Sequence, residues 1–382
     1  MRVRGRRMGA RAEKLRKELE LGGPDEASLG HAFVEGSPRV AIRFEELGME
    51  LKTSGATVLD GVTGSFPAAS LVALMGPSGG GKTTLMNALL GRASYGHVRG
   101  RIFVNGHEGG LAHLPSLVGF VPQEDIVHAN LTVFENLYYN AMLRLPNAAS
   151  QHAKKVHIIQ VSKVLGIDHL LSSRVGDAAR RGISGGQKKR VNIGMELVAM
   201  PAVIFMDEPT SGLDGATTIQ LARCLRELRN AGLTIICVIH QPRYSVFREF
   251  SHLLLLGSGG KQIYCGAAER VTDYLTGVGF RLPEFENAAD WFIDVACGLS
   301  PRYLPDGSVD TSFTAPEGLF ALWKIGAKSA RWDDSSTSVA SLGELLQPRE
   351  AVGMRRQIYY LVGRSFRQHD GIRSVPVAIS RT

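Results

Sequence analysis

Nowhere in this chain do about 18 apolar residues run together, so no segment of it is expected to cross a bilayer as a helix. Cysteine is scarce as well. The four cysteines, Cys224, Cys237, Cys265 and Cys297, form no C-x-x-C pair and no zinc-like spacing, which argues against a zinc module or a disulfide framework. Two of them fall in apolar or helical patterns, where cysteine acts as a small buried hydrophobe, and reduced cytosolic thiols are expected. The opening MRVRGRRMGARAEK lacks the apolar core of a secretory signal, and Glu13, Glu18 and Glu20 speak against a transit peptide. No internal repeat is evident, which implies one copy of any module.

What is present is ordinary in bulk and uneven in place. The 382 residues are 44% hydrophobic and 21% charged, a globular balance. The net charge of +8 sits at the ends: residues 1–17 hold eight Arg and Lys against Glu13, and residues 351–382 hold six Arg against Asp370. The middle is therefore mildly acidic. Basic ends suit anionic lipid heads or nucleic acid, while a solvated tail fits residues 1–30 at least as well.

Residues 11–21 read as a short charged helix, and the stretch to residue 38 as a basic extension and linker. The body runs over 39–298. It begins with alternating strand-like segments separated by glycine turns. A helical block of about 125–200 follows, opened by Thr132 and Glu135 at capping-box spacing. AVIFMDEP and LTIICVIH are near-continuous apolar runs that suit parallel strands buried on both faces, with a helix over Thr217 to Leu228 between them. Residues 299–350 read as a weakly structured linker, and 351–382 as a basic amphipathic segment.

The most telling stretch is GPSGGGKTT, comprising Gly76, Pro77, Ser78, Gly79, Gly80, Gly81, Lys82, Thr83 and Thr84. It follows the apolar run Leu71 to Met75 and precedes a helical pattern, the strand–loop–helix order of a Walker A phosphate cradle. Glycines here let backbone N–H groups close on phosphate oxygens, and the helix start adds a positive dipole end. Lys82 can reach β- and γ-phosphates, and the Thr83 hydroxyl can sit on Mg²⁺. Nucleotide binding is the expectation; a chance glycine turn is the bland competitor.

A second strand ends in the needed acid. Asp207 closes Val203 to Met206, where a magnesium-linked carboxylate belongs, and Glu208 follows in place to polarise a water. A strand end with a capping acid is the competing reading. ISGGQKKR then places Ser184, Gly185, Gly186 and Gln187 at the head of another helical pattern, a second end suited to a phosphate.

Here the residues resemble a family. The SGGQ segment is similar to the signature loop of ATP-binding cassette (ABC) ATPases, which caps ATP held by the opposing subunit. Gln123 in VPQED resembles the Q-loop glutamine, Asp214 in SGLDG the D-loop aspartate, and His240 in VIHQPR the switch histidine that binds the γ-phosphate. VPQEDIVHANLTVFENLYYN, RGISGGQKKRVNIGMELVAMP and NAADWFIDV resemble the G subfamily, the white/brown type, with Ala288 replacing a proline. The resemblance implies an α/β P-loop NTPase core with a mostly parallel sheet, an antiparallel β subdomain and an inserted α-helical subdomain. It further implies ATP and Mg²⁺ as cofactors, with Thr83, Gln123 and Asp207 around the metal, Lys82, Glu208 and His240 acting in hydrolysis, and ATP sandwiched head-to-tail between two nucleotide-binding domains.

By the same resemblance the cassette works at the cytosolic face of a membrane with a transmembrane domain that this sequence lacks, for an unknown transported substrate. No nucleic-acid partner is expected. The alternatives are a soluble ABC ATPase acting on nucleic acid or ribosomes, and a truncated fragment. Two departures stand out. Where many cassettes place an aromatic under adenine this chain offers Met49, or else Phe44, so weaker stacking is expected; and Gly215 replaces the usual serine after Asp214, which is expected to loosen that turn.

Overall fold

Side-chain alternation in the early strands and unbroken apolar runs in the later ones divide the β structure between two sheets. The computed structural model describes residue 14 and residues 38–145, 150–177, 180–315, 317–327 and 352–368. In chain order the strands are β1 (Ile42–Leu51), β2 (Thr57–Phe66), β3 (Leu71–Met75), β4 (Gly96–Val104), β5 (His107–Glu108), β6 (Val118–Val121), β7 (Val203–Asp207), β8 (Thr234–Val238), β9 (His252–Leu256) and β10 (Gln262–Ala267). The helices are α1 (Lys82–Leu89), α2 (Val133–Arg144), α3 (Gln151–Val164), α4 (Gly185–Leu197), α5 (Gly215–Asn230), α6 (Tyr244–Phe247), α7 (Val271–Gly277), α8 (Ala288–Cys297), α9 (Glu317–Ala327) and α10 (Met354–Gln368).

The chain divides into two units. One comprises Val34–Gln123 and Pro201–Gln347; the other comprises Met1–Phe33, Glu124–Met200 and Pro348–Thr382. The first unit holds both sheets. Its six-stranded sheet runs β10-β9-β3-β8-β7-β6, with β3, β6, β7, β8 and β9 parallel and β10 antiparallel at the edge. Strands β3 and β8 are buried along their whole length, which explains why their sequences do not alternate. The four-stranded antiparallel sheet runs β2-β1-β4-β5. One apolar core joins the two sheets to α1: Phe44, Leu59 and Phe66 meet Val72, Leu74, Leu85, Met86, Phe205 and Ile236.

β1 is interrupted by a bulge. Its register to β4 slips between Glu45 and Gly48, and Glu46 adopts φ 48°. A bulge moves later side chains to the opposite face. That slip carries Leu47 and Met49 into the core beside Phe44.

The second unit is helical. Thr132 caps α2, its side chain accepting from the Glu135 N–H while the Glu135 carboxylate accepts from the Thr132 N–H. Gly194 on α4 lets neighbouring helices close in: a β-carbon there would lie 2.9 Å from Leu137 of α2 and 3.0 Å from Leu165 after α3. Helix α10 rests on α2 through Tyr360, which packs with Leu131, Tyr139 and Met142. Arg367 of α10 pairs with Glu135, and the Asn130 side chain donates to the Gln368 carbonyl at 2.7 Å.

Of the segments expected at the ends, residues 1–37 apart from Lys14, and 328–351 and 369–382, lie outside the described residues. Within the expected weakly structured linker at 299–350, the structure differs. There α9 is a helix fixed against β10, with the Trp323 ring tilted against Tyr264 at 5.4 Å and edge-on to Tyr274 at 5.6 Å, and Lys261 paired with Glu317 at 2.8 Å. An aromatic cluster contributed by distant segments holds this helix, which no local periodicity announces.

Candidate functional site

Four parallel strands of the first unit end at the same edge of their sheet, and each hands its next residues to one place. β3 runs into the loop at Gly76, β6 into Gln123, β7 into Asp207 and Glu208, and β8 into His240. In open α/β sheets ligands bind beyond the carboxyl ends of the strands. The connection from β3 into α1 leaves no room for a side chain at two of its glycines. Gly76 has φ 147°, and a β-carbon there would stand 2.3 Å from the Leu256 carbonyl oxygen. Gly81 has φ 83° and caps α1, with Val58 and Leu59 each 2.8 Å from where a β-carbon would be. A glycine loop of this kind at a helix start is a backbone shape that can turn N–H groups towards an anion.

Lys82 is buried to 5% exposure, and its Nζ donates to the carbonyls of Gly76 at 2.9 Å and Pro77 at 2.7 Å. Burial lowers its ammonium below the ordinary value, offset in part by the charges of Glu208 and Asp207. Thr83 hydrogen-bonds Asp207. Burial, then the adjacent Glu208 charge, pushes the Asp207 carboxyl up, against the opposing pull of His240, Thr83 and Lys82.

Glu208 is gripped from two sides. The Gln123 Nε2 donates to its Oε2 at 2.8 Å, and its Oε1 meets the His240 Nε2 at 2.9 Å. Its backbone holds φ 46°, and Gln241, next to His240, holds φ 38°. Both are left-handed values that cost a non-glycine residue about 1 kcal/mol or more and cluster where geometry serves function. The Glu208 N–H donates to the Val238 carbonyl at 3.1 Å, which ties the two strand ends together.

The oxygen donors suit a hard divalent cation. The Thr83 hydroxyl, the Gln123 amide oxygen and the Asp207 carboxylate are the ligand type that magnesium takes, and two adjacent carboxylates with one pushed up favour added positive charge. Among the described residues no group of three His, Cys, Asp or Glu could hold an ion by itself. Phosphate oxygens and water would complete such a shell, as magnesium prefers.

Two of the remaining expected elements are helix caps. Asp214 caps α5, its Oδ1 accepting from the N–H groups of Ala216 and Thr217, each at 3.0 Å. The Thr217 hydroxyl bond, first among several, lowers the Asp214 carboxyl. The turn expected to be loosened by Gly215 is instead firmly capped. In the second unit Ser184 caps α4 in a reciprocal box with Gln187, at 3.3 Å and 2.9 Å. Nothing lies within 4 Å of the β-carbon position at Gly185, which leaves that helix start open.

The expectation at Met49 and Phe44 needs correction. Both have 0% exposure and present no surface to a base. Phe44 meets Phe66 edge-on at 5.1 Å, and Met49 fills the space left by Gly96, where a β-carbon would lie 2.2 Å from its Cε. For Met49 the bulge at Glu46 is the physical reason; Phe44, ahead of the bulge, faces inward by plain alternation with Ile42. Sequence reading also missed Asn287, whose Nδ2 donates to the Pro242 carbonyl at 3.0 Å just beyond His240. The carbonyls of Gly76, Pro77 and Leu256 were missed too, since backbone acceptors carry no residue signature.

The family described as ABC transporter matches residues 59–211, and that described as ABC-2 type transporter matches 240–312. None of the described helices is long and apolar enough to cross a membrane. The chain is 42% identical over 262 residues to ABC transporter G family member 28 of Arabidopsis thaliana, covering 69% of this chain and 24% of that one. It is 37% identical over 273 residues to G family member 14 of the same plant, covering 72% and 42%. Against the rat broad substrate specificity ATP-binding cassette transporter ABCG2 it is 41% identical over 249 residues, covering 65% and 37%. The chain thus spans less than half the length of these relatives. In fold it is similar to an ABC transporter cassette in an ADP conformation, with TM-score 0.51, 22% identity, and 61% and 94% of the two chains covered. A nucleotide-free cassette gives TM-score 0.51 at 23% identity, covering 62% and 95%.

Proposed function

We propose, from the premise that this chain carries an ATP-binding cassette of the ABC transporter G family, that it binds and hydrolyses ATP to drive transport through a membrane domain. The observation that supports this best is Glu208 held between Gln123 and His240, beside the Thr83–Asp207 pair and Lys82. In this reading the loop from Gly76 to Thr84 cradles the phosphates. Lys82 leaves the carbonyls of Gly76 and Pro77 for the β- and γ-phosphates. Glu208, held in place by Gln123 and His240, orients a water in line with the γ-phosphate. His240 then donates to a γ-phosphate oxygen instead of to Glu208.

Thr83, Gln123 and Asp207 would hold magnesium, whose charge would offset that of the phosphates. The second half of the pocket comes from another cassette, whose Ser184, Gly185, Gly186 and Gln187 offer an open helix start to the γ-phosphate, with Asp214 at the seam. The clasp works at the cytosolic face, and a membrane domain couples it to an unknown substrate. Steady-state hydrolysis by the purified chain, compared with Glu208→Gln, tests the reading. Turnover that falls while ATP binding survives supports it; equal turnover in both removes Glu208 from the chemistry.

A further inference from the structure

The segment after the switch histidine is fixed at three successive residues. Gln241 sits at φ 38°, the Pro242 carbonyl accepts from Asn287, and Arg243 begins α6 with its own carbonyl accepting from Val246 and Phe247. Asn287 is itself braced, since its Nδ2 also donates to the Asp290 carboxylate at 2.9 Å and its Oδ1 caps α8. The Arg243 side chain leaves this segment and lies over the first residue of α5. A β-carbon on Gly215 would stand 2.3 Å from one terminal guanidinium nitrogen, 2.6 Å from the central carbon and 3.0 Å from the other nitrogen. The guanidinium therefore rests on the bare α-carbon of Gly215. Any side chain at position 215 would displace it.

We propose that Arg243 is a positioning residue for hydrolysis: its contact with Gly215 joins the His240 segment to the turn that presents Asp214. The proposal rests on the hydrolytic reading above. Three features carry it. Among the described residues the guanidinium has no hydrogen-bonding or ionic partner of its own, so the contact with Gly215 is what orients it. The two ends it connects are both anchored, Asp214 by its cap on α5 and Pro242 by Asn287. A movement at one end is thereby felt at the other, where slack would otherwise absorb it. Finally, the glycine that departs from the resembled pattern supplies the room that a serine would fill.

The test is a double-mutant cycle on the full chain, with Gly215→Ala, Arg243→Ala and the combined variant assayed for ATP hydrolysis with magnesium. Gly215 has no left-handed φ and opens a helix, so alanine there is unstrained and favours the helix by up to about 1 kcal/mol. Folding is therefore preserved while the guanidinium is expelled, and melting curves check this. Each single substitution is expected to lower kcat about tenfold, the cost of a small misplacement near the chemistry, with KM changed less than about twofold. The double variant is expected to be no slower than the slower single, because both remove one contact. Singles that match an active wild type, effects confined to KM, or a double variant showing the product of the two losses would overturn the inference while leaving the hydrolytic reading intact. A wild-type chain without turnover defeats that reading, and this inference with it.

Discussion

Glu208 and His240 follow adjacent parallel strands and meet Oε1 to Nε2 at 2.9 Å, while Gln123 holds the other carboxylate oxygen at 2.8 Å. In the proposed reading this contact lies where the γ-phosphate and its water enter. Glu208→Gln keeps the shape and removes the charge, and is expected to cut turnover by about 10²–10³-fold. His240→Ala should cost about tenfold or more, because one donor to developing phosphate charge disappears. Single-turnover hydrolysis beside equilibrium ATP binding separates lost chemistry from lost affinity.

Lys82 is a buried ammonium satisfied by two loop carbonyls and lowered by burial. Lys82→Met retains the aliphatic stem without the charge. The nucleotide-free melting temperature is expected to stay within about 3 °C or rise, since a buried charge is relieved. The stabilisation produced by ATP should vanish, which a thermal shift titration reads directly.

His157 on α3 is held well below its ordinary value, to about 4 against 6.5, because burial disfavours the charged ring despite a hydrogen bond to the Val198 backbone. The unfolded chain therefore takes the proton first. Stability from this group is intact above pH 6.5 and is lost as pH falls towards 4, by up to about 3 kcal/mol across that window. Denaturant midpoints measured from pH 7 to 4 should show this slope, and His157→Phe should flatten it.

Arg367 pairs with Glu135, whose side chain is 5% exposed and already engaged in the α2 cap. Arg367→Ala strands that carboxylate and should cost about 1–3 kcal/mol, reduced from a fully buried pair because the arginine is partly solvated. Tyr360→Ala removes the main apolar anchor of α10 and should cost about 3 kcal/mol. Faster amide exchange along 354–368, with α3 unchanged, is the expected readout in both.

Much of the site was legible because its chemistry is local. The glycine spacing from Gly76 to Gly81 fixes a backbone shape by itself, and the apolar runs ending at Asp207 and before His240 identify strands buried on both faces. The Thr132–Glu135 cap likewise needs only its own turn of helix. What escaped is a break in strand alternation or depends on residues remote in sequence. One left-handed residue, Glu46, reverses the facing of everything after it in β1, so Met49 goes inward when alternation alone says otherwise. Asn287 finds Pro242 across 45 positions, and Trp323 finds Tyr264 and Tyr274 in the same way.

The left-handed backbone at Glu208 and Gln241 has a further consequence. Glycine would relax either peptide, so a laboratory selection for heat resistance alone would drift towards glycine at 208. Its survivors would be tougher proteins and idle ones. Durability and turnover pull against each other at that one α-carbon.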